Sequence, residues 1–118
     1  MLYGYNQTDA TVIKNTLDVL FKTNITQLSG SYKESQLIEN IISDTAHTQY
    51  ESKEPKVLMF LGFEHEKINL VLKQFPGVDK VTRPIFCTLT GNNIHWPLYK
   101  LFEHLVQEKN YWKNKEKK

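Results

Sequence analysis

Hydroxyl, amide and imidazole side chains crowd one stretch of this chain. Thr88, Thr90, Asn92, Asn93 and His95 run directly into Trp96, after the apolar stretch Pro84–Leu89. Where a strand passes into a helix, such groups can orient a polar ligand beside free helix N–H groups. The same residue types also build turns: Asn and Gly shape the bend, Asn93 or His95 caps the next helix, and Trp96 packs on the sheet edge. Gly4 and Gly62 end two apolar runs. They either admit a ligand at the carboxyl ends of central strands or simply allow a tight strand-to-helix turn, and neither has dinucleotide or phosphate-loop spacing.

Classical catalytic sets are harder to find. Cys87 is the sole thiol; a phosphatase-like loop needs Arg six positions later, where Asn93 stands, and the one arginine, Arg83, precedes it. A small cysteine at a strand end is ordinarily a packing residue. His95 and His104 lie nine positions apart, and His65 sits between Glu64 and Glu66 on an expected first helical turn. No third ligand backs any of these pairs, so no metal and no cofactor is expected. The C-terminal run Lys109–Lys118 mixes Tyr111 and Trp112 with five lysines and one glutamate. It could touch phosphates, or it could be a fraying helix end whose lysines suit the dipole.

The 118 residues carry a net charge of +2, but the last ten contribute +4, leaving the rest at −2. An acidic body with a single arginine is poor material for nucleic-acid recognition. Length suits one domain, and an apolar fraction of 40% with 24% charged residues is that of a globular protein. No apolar run reaches the ~18–20 residues needed to span a bilayer, and the first residues lack a signal-peptide pattern. A cytoplasmic location, with no membrane partner and the sequons at Asn6 and Asn24 unmodified, is the default expectation.

Two halves carry similar signals. Residues 56–61 form a short apolar run ending at Gly62, expected to be a buried central strand. Ile68, Val71, Leu72 and Phe75 give a helical stripe that Pro76-Gly77 stops; Pro84–Leu89 is a second strand; Leu98, Leu101, Phe102, Leu105 and Val106 line a last helix behind Pro97. Earlier, Met1–Gly4 reads as a short strand, and Thr8 or Asp9 caps a helix faced by Val12, Ile13, Thr16, Leu17, Leu20 and Phe21. Asn24–Leu28 reads as a short polar edge strand, and Leu37, Ile38, Ile41 and Ile42 as another helical stripe. Overlaying the halves sets Leu2–Tyr5 on Phe60–Phe63 and Ile13, Leu17 and Leu20 on Ile68, Leu72 and Phe75 after a three-residue gap. A duplication explains this, although any two βαβα halves share such patterns. The expected fold is α/β: one domain over 1–112, halves 1–43 and 56–112 joined by a polar linker 44–55, and a basic tail 113–118. Its four-stranded, mainly parallel sheet, in order 2-1-3-4, has helices on both faces.

The segment from Lys56 to Trp112 resembles a bacterial family known as a domain of unknown function, DUF3783. The features are a strand ending in Gly-Phe (Leu58 to Phe63), an acidic helix start (Glu64 to Glu66) and a strand entering a Thr/Asn-rich turn. A Trp then heads the final helix (Cys87 to Leu98), and an aromatic, Tyr111, is expected just past that helix's end. The family's Thr-Pro-Thr-Asn-like turn stands here as Thr88-Leu89-Thr90-Gly91-Asn92, without the Pro and with an added Gly. The resemblance implies that residues 1–55 are a degenerate partner half, and it brings no activity.

With no nucleophile–base pair, carboxylate pair or cofactor fingerprint, the expected function is a non-enzymatic binding or protein-interaction module. Its partner is another protein or a second copy, since a short sheet edge invites a homodimer. The alternative is a small-molecule site or minor enzyme at the carboxyl edge near Thr88–Trp96, with Cys87 or His95 handling any proton.

Overall fold

Alternation along three short strands divides the apolar side chains between two faces of one sheet. Met1, Tyr3, Val57 and Met59 pack to one side, with Ile85 and Cys87 against them; Leu2, Leu58 and Phe60 pack to the other, with Phe86. A period of two allows nothing else. The structure, a computed structural model, describes residues 1–44, 49–75 and 81–116, with side chains as far as Tyr111.

The elements are β1 (Leu2–Tyr3), α1 (Gln7–Phe21), α2 (Ile38–Ser43), β2 (Val57–Phe60), α3 (His65–Gln74), β3 (Ile85–Thr88), a 3₁₀ turn (Asn93–His95) and α4 (Leu98–Glu116). Helices α2 and α4 cover the first face through Ile38, Ile41, Leu98 and Leu101. Helices α1 and α3 cover the second through Ala10, Ile13, Leu17 and Val71. Asn6, not Thr8 or Asp9, caps α1: its Oδ1 accepts the Asp9 N–H at 2.9 Å. The expected stop at Pro76-Gly77 lies outside the described residues.

The expected four-stranded, mainly parallel sheet does not form. Three strands in order β1-β2-β3 make a mixed sheet, with β1 antiparallel to β2 and β2 parallel to β3. Direction is set by the route of the chain between halves. Ser29 Oγ donates to the Gln49 carbonyl, the Glu51 N–H donates to Ser31 Oγ at 3.1 Å, and the Lys53 N–H donates to the Gly4 carbonyl at 3.0 Å. The linker therefore crosses the carboxyl end of β1 and enters β2 from there, which makes the two antiparallel.

Asn24–Leu28 is not a strand; this flank touches β1 only through an isolated parallel bridge between Leu2 and Ser29. Side chains of α1 hold it instead. Lys14 Nζ donates to Asn24 Oδ1 at 2.7 Å, and Asp18 accepts the Ile25 N–H at 2.7 Å. Beside residues 24–27 the two-residue β1 supplies no strand to pair with.

The halves meet at two reciprocal hydrogen-bond pairs. The Met1 amino group donates to the Met59 carbonyl and the Met59 N–H to the Met1 carbonyl, both at 2.8 Å. The Ile38 N–H donates to the Trp96 carbonyl and the Leu98 N–H to the Gln36 carbonyl, both at 2.9 Å, at the heads of α2 and α4.

Candidate functional site

The Thr88–Trp96 stretch closes on itself. Asn93 is buried, its Oδ1 accepts the Thr90 N–H at 2.8 Å, its Nδ2 donates to the Thr88 carbonyl at 3.0 Å, and its own N–H donates to Thr90 Oγ1 at 3.0 Å. These bonds are an Asx/ST-type turn built from the polar groups that sequence alone offers as ligand contacts. Asn92 is exposed and makes no side-chain capping bond. His95 is exposed, with Nδ1 3.7 Å from Glu39 Oε1. Trp96 is half-buried against the α2/α4 core, edge-on to His104 at 5.5 Å, with Lys100 Nζ 5.0 Å from its centroid. Asn93→Ala is expected to cost ~1–3 kcal/mol, because truncation orphans buried backbone partners. Asn92→Ala should stay within ~0.5 kcal/mol. Urea titration of both variants separates them.

Cys87 lies on β3 beneath the same core, and burial pushes its thiol up to about 12. At neutral pH it is a protonated packing group rather than a nucleophile. Among the described residues no three His, Cys, Asp or Glu side chains gather as a metal set, and no helix is long and apolar enough to cross a membrane.

The two glycines part company. A Cβ on Gly4 would lie 2.6 Å from the Lys53 carbonyl oxygen and 2.7 Å from that of Pro55, so the linker fills the space over it. At Gly62 a Cβ would meet nothing within 4 Å. Both have positive φ, +95° and +73°, so both serve as turn glycines, but only Gly62 borders open space.

Two adjoining hollows lie on this side, and Gly62 borders the second of them. A groove of about 270 Å³ lies between Asn24–Leu28 and the end of β2, floored by Met1, Leu17, Leu58 and Phe60. A second hollow of about 260 Å³ shares Ile25, Leu61 and Phe63 with it and reaches Gly62 and Lys67. Aromatic packing shapes the wall: Phe63 stands 5.7 Å from Phe21 and 5.4 Å from Phe60. The lining is mostly apolar, with no titratable pair suited to proton transfer. Met1 is one of the lining residues, and burial lowers its amino group to about 5. Another hollow, near Pro55 and Arg83, gathers Lys56 and Lys109 with Glu54. Lys56 is bonded to Glu54 and the Lys53 carbonyl, and Arg83 to the Leu72 carbonyl.

Of the candidate site residues singled out from sequence, none lines the groove, and Gly62 alone lines the hollow beside it. Thr88 ends β3 opposite Phe60 and continues into the self-contained turn, while Gly4 is packed under the linker. Sequence reasoning missed Met1, Ile25, Leu61 and Phe63 as site residues. Their signal is an apolar run that continues past the strand end, Phe60-Leu61-Gly62-Phe63, beyond what β2 needs for its own core.

Residues 56–112 match a family model described as a domain of unknown function, DUF3783. No curated protein and no solved structure matches the chain.

Proposed function

We infer that this chain, whose residues 56–112 belong to the DUF3783 family, is a non-enzymatic interaction module. It docks a protein partner through the apolar groove between Asn24–Leu28 and Leu61–Phe63. The observation that carries this reading is an apolar concavity left open at the carboxyl end of the central strand, the position at which α/β sheets commonly take ligands. The chemistry of the lining supports an apolar contact rather than catalysis. The polar alternative at Thr88–Trp96 has less to offer a ligand, because Thr88, Thr90 and Asn93 already engage one another.

The test uses an environment-sensitive apolar dye and the variant Ile25→Lys, a half-exposed residue common to both hollows. Burying an Ile side chain contributes ~1.5–3 kcal/mol, so dye affinity is expected to fall about tenfold or more while the thermal midpoint stays close to that of the parent. Unchanged dye binding in Ile25→Lys would place the apolar contact elsewhere and defeat this reading.

A further inference from the structure

The edge of the sheet farthest from Asn24–Leu28 is formed by β3, which pairs only with β2. That pairing fixes which backbone groups are left over. The Ile85 N–H donates to the Lys56 carbonyl and the Leu89 N–H to that of Phe60. Alternate residues of a parallel ladder face the same neighbour. Ile85, Cys87 and Leu89 therefore turn their backbone groups toward β2, while Pro84, Phe86, Thr88 and Thr90 turn theirs to the open side.

Both ends of this open row are closed. Pro84 has no N–H. At the other end the Asn93 amide takes the place of a neighbouring strand: its Nδ2 donates to the Thr88 carbonyl at 3.0 Å and its Oδ1 accepts the Thr90 N–H at 2.8 Å. Between them four groups make no hydrogen bond among the described residues, namely the Phe86 N–H and C=O, the Thr88 N–H and the Pro84 C=O. Pro84 is buried, but alternation turns its ring inward with Phe86 and keeps its carbonyl in the edge row.

These two donors and two acceptors complement themselves. About a twofold axis at Phe86, antiparallel pairing lets Phe86 exchange both bonds with its copy, and each Thr88 N–H reaches the Pro84 carbonyl of the other chain. The bond that such pairing ordinarily returns, from the N–H of residue 84 to the Thr88 carbonyl, is the one proline cannot make, and Asn93 already supplies it. Moving the axis to Cys87 spoils the match. The Phe86 N–H would then meet the Thr88 carbonyl that Asn93 holds, and the Pro84 carbonyl would face a Thr90 N–H already in use. Side chains agree with the first register. Ile85 falls opposite Cys87 of the other copy on the α4 face, a large residue beside a small one, both half-buried in the single chain. The two Phe86 residues fall side by side on the α3 face as a cross-strand aromatic pair.

We propose that the occupant of this edge is a second copy of the chain, joined antiparallel along residues 84–88 about a twofold axis at Phe86, so that two three-stranded sheets become one. This goes beyond the groove reading and does not depend on it. A foreign strand would have to lack a donor opposite Thr88; the chain itself carries that gap at Pro84. Pairing with itself also covers the exposed edge.

Sedimentation of the full chain is expected to show a concentration-dependent dimer. Thr88→Pro removes an outward N–H at an exposed position without touching the β2 ladder, a change edge strands tolerate. By symmetry it deletes two bonds per dimer and should weaken association about tenfold or more, with the helical circular-dichroism signal retained. Thiol pairing reads the register, because Cys87 is the sole cysteine. Chains carrying Ile85→Cys with Cys87→Ser, mixed with the parent and treated with oxidised glutathione, should link as a mixed dimer. Directly opposed residues of this kind lie ~4.5 Å apart at Cα, within disulfide reach. Neither chain should link alone, since its thiols are diagonal neighbours ~7–8 Å apart. Linking of the parent by itself would put the axis at Cys87 and overturn the register. A chain that stays monomeric to millimolar concentration, a dimer that Thr88→Pro leaves as tight, or a dimeric mixture that does not link each overturns the proposal.

Discussion

Gly4→Ala is expected to destabilise the protein by ~2–5 kcal/mol, against ~1–2 kcal/mol for Gly62→Ala. Both positions carry positive φ, +95° and +73°, and placing an L side chain in left-handed backbone costs ~1–2 kcal/mol. The difference lies in what surrounds the new methyl group. At Gly4 it would stand 2.6 Å from the Lys53 carbonyl oxygen, 2.7 Å from that of Pro55 and 2.9 Å from the Lys56 Cα. These are backbone atoms, so the linker itself must move, and overpacking adds ~1–3 kcal/mol. The linker is also what delivers β2 antiparallel to β1, so the shift strains the Leu2–Leu58 and Tyr3–Val57 pairs. At Gly62 the methyl group enters open space. Urea denaturation of the two variants measures the contrast; equal losses would show that the linker does not sit tightly over Gly4.

Stability is expected to fall by up to ~4 kcal/mol as pH drops from 8 to 5. The Met1 amino group is buried at the head of β1, donating to the Met59 carbonyl, and desolvation lowers it from 8.0 to about 5. In that window the unfolded chain takes a proton that the folded chain refuses, so unfolding gains from acid and the folded state loses ~1.4 kcal/mol per pH unit. The contribution is fully present above pH 8 and gone below pH 5. Cys87, the neighbouring ionisable group, stays neutral throughout because burial pushes its thiol up to about 12. Denaturant titrations at half-unit steps should show a slope near one proton between pH 5.5 and 7.5. A flat profile would mean that the amino group is hydrated and the Met1–Met59 pair open.

Helix faces were legible because apolar spacing fixes them directly. Ile38, Ile41, Leu98 and Leu101 lie where a 3.6-residue period places them, as do Ile13, Leu17, Val71 and Phe75. The run 57–60 marked the central strand, since only a strand buried on both faces is apolar at every position. The overlay of the halves rests on weaker ground, because an amphipathic helix tolerates a three-residue slip almost without changing face, so apolar pattern alone does not fix an offset.

Residue spacing by itself determined which faces of the helices turn inward and that the protein is α/β. Tertiary structure alone decided that β1 runs antiparallel to β2, that Asn24–Leu28 stays outside the sheet, and that the linker fills the space over Gly4 while Gly62 borders open space. Alternation of apolar residues is the same read forwards or backwards, so it carries no strand direction. Direction came from a polar linker anchored by Ser29, Ser31 and Gly4, and pairing came from how far a neighbouring strand extends. Neither leaves a period in the sequence.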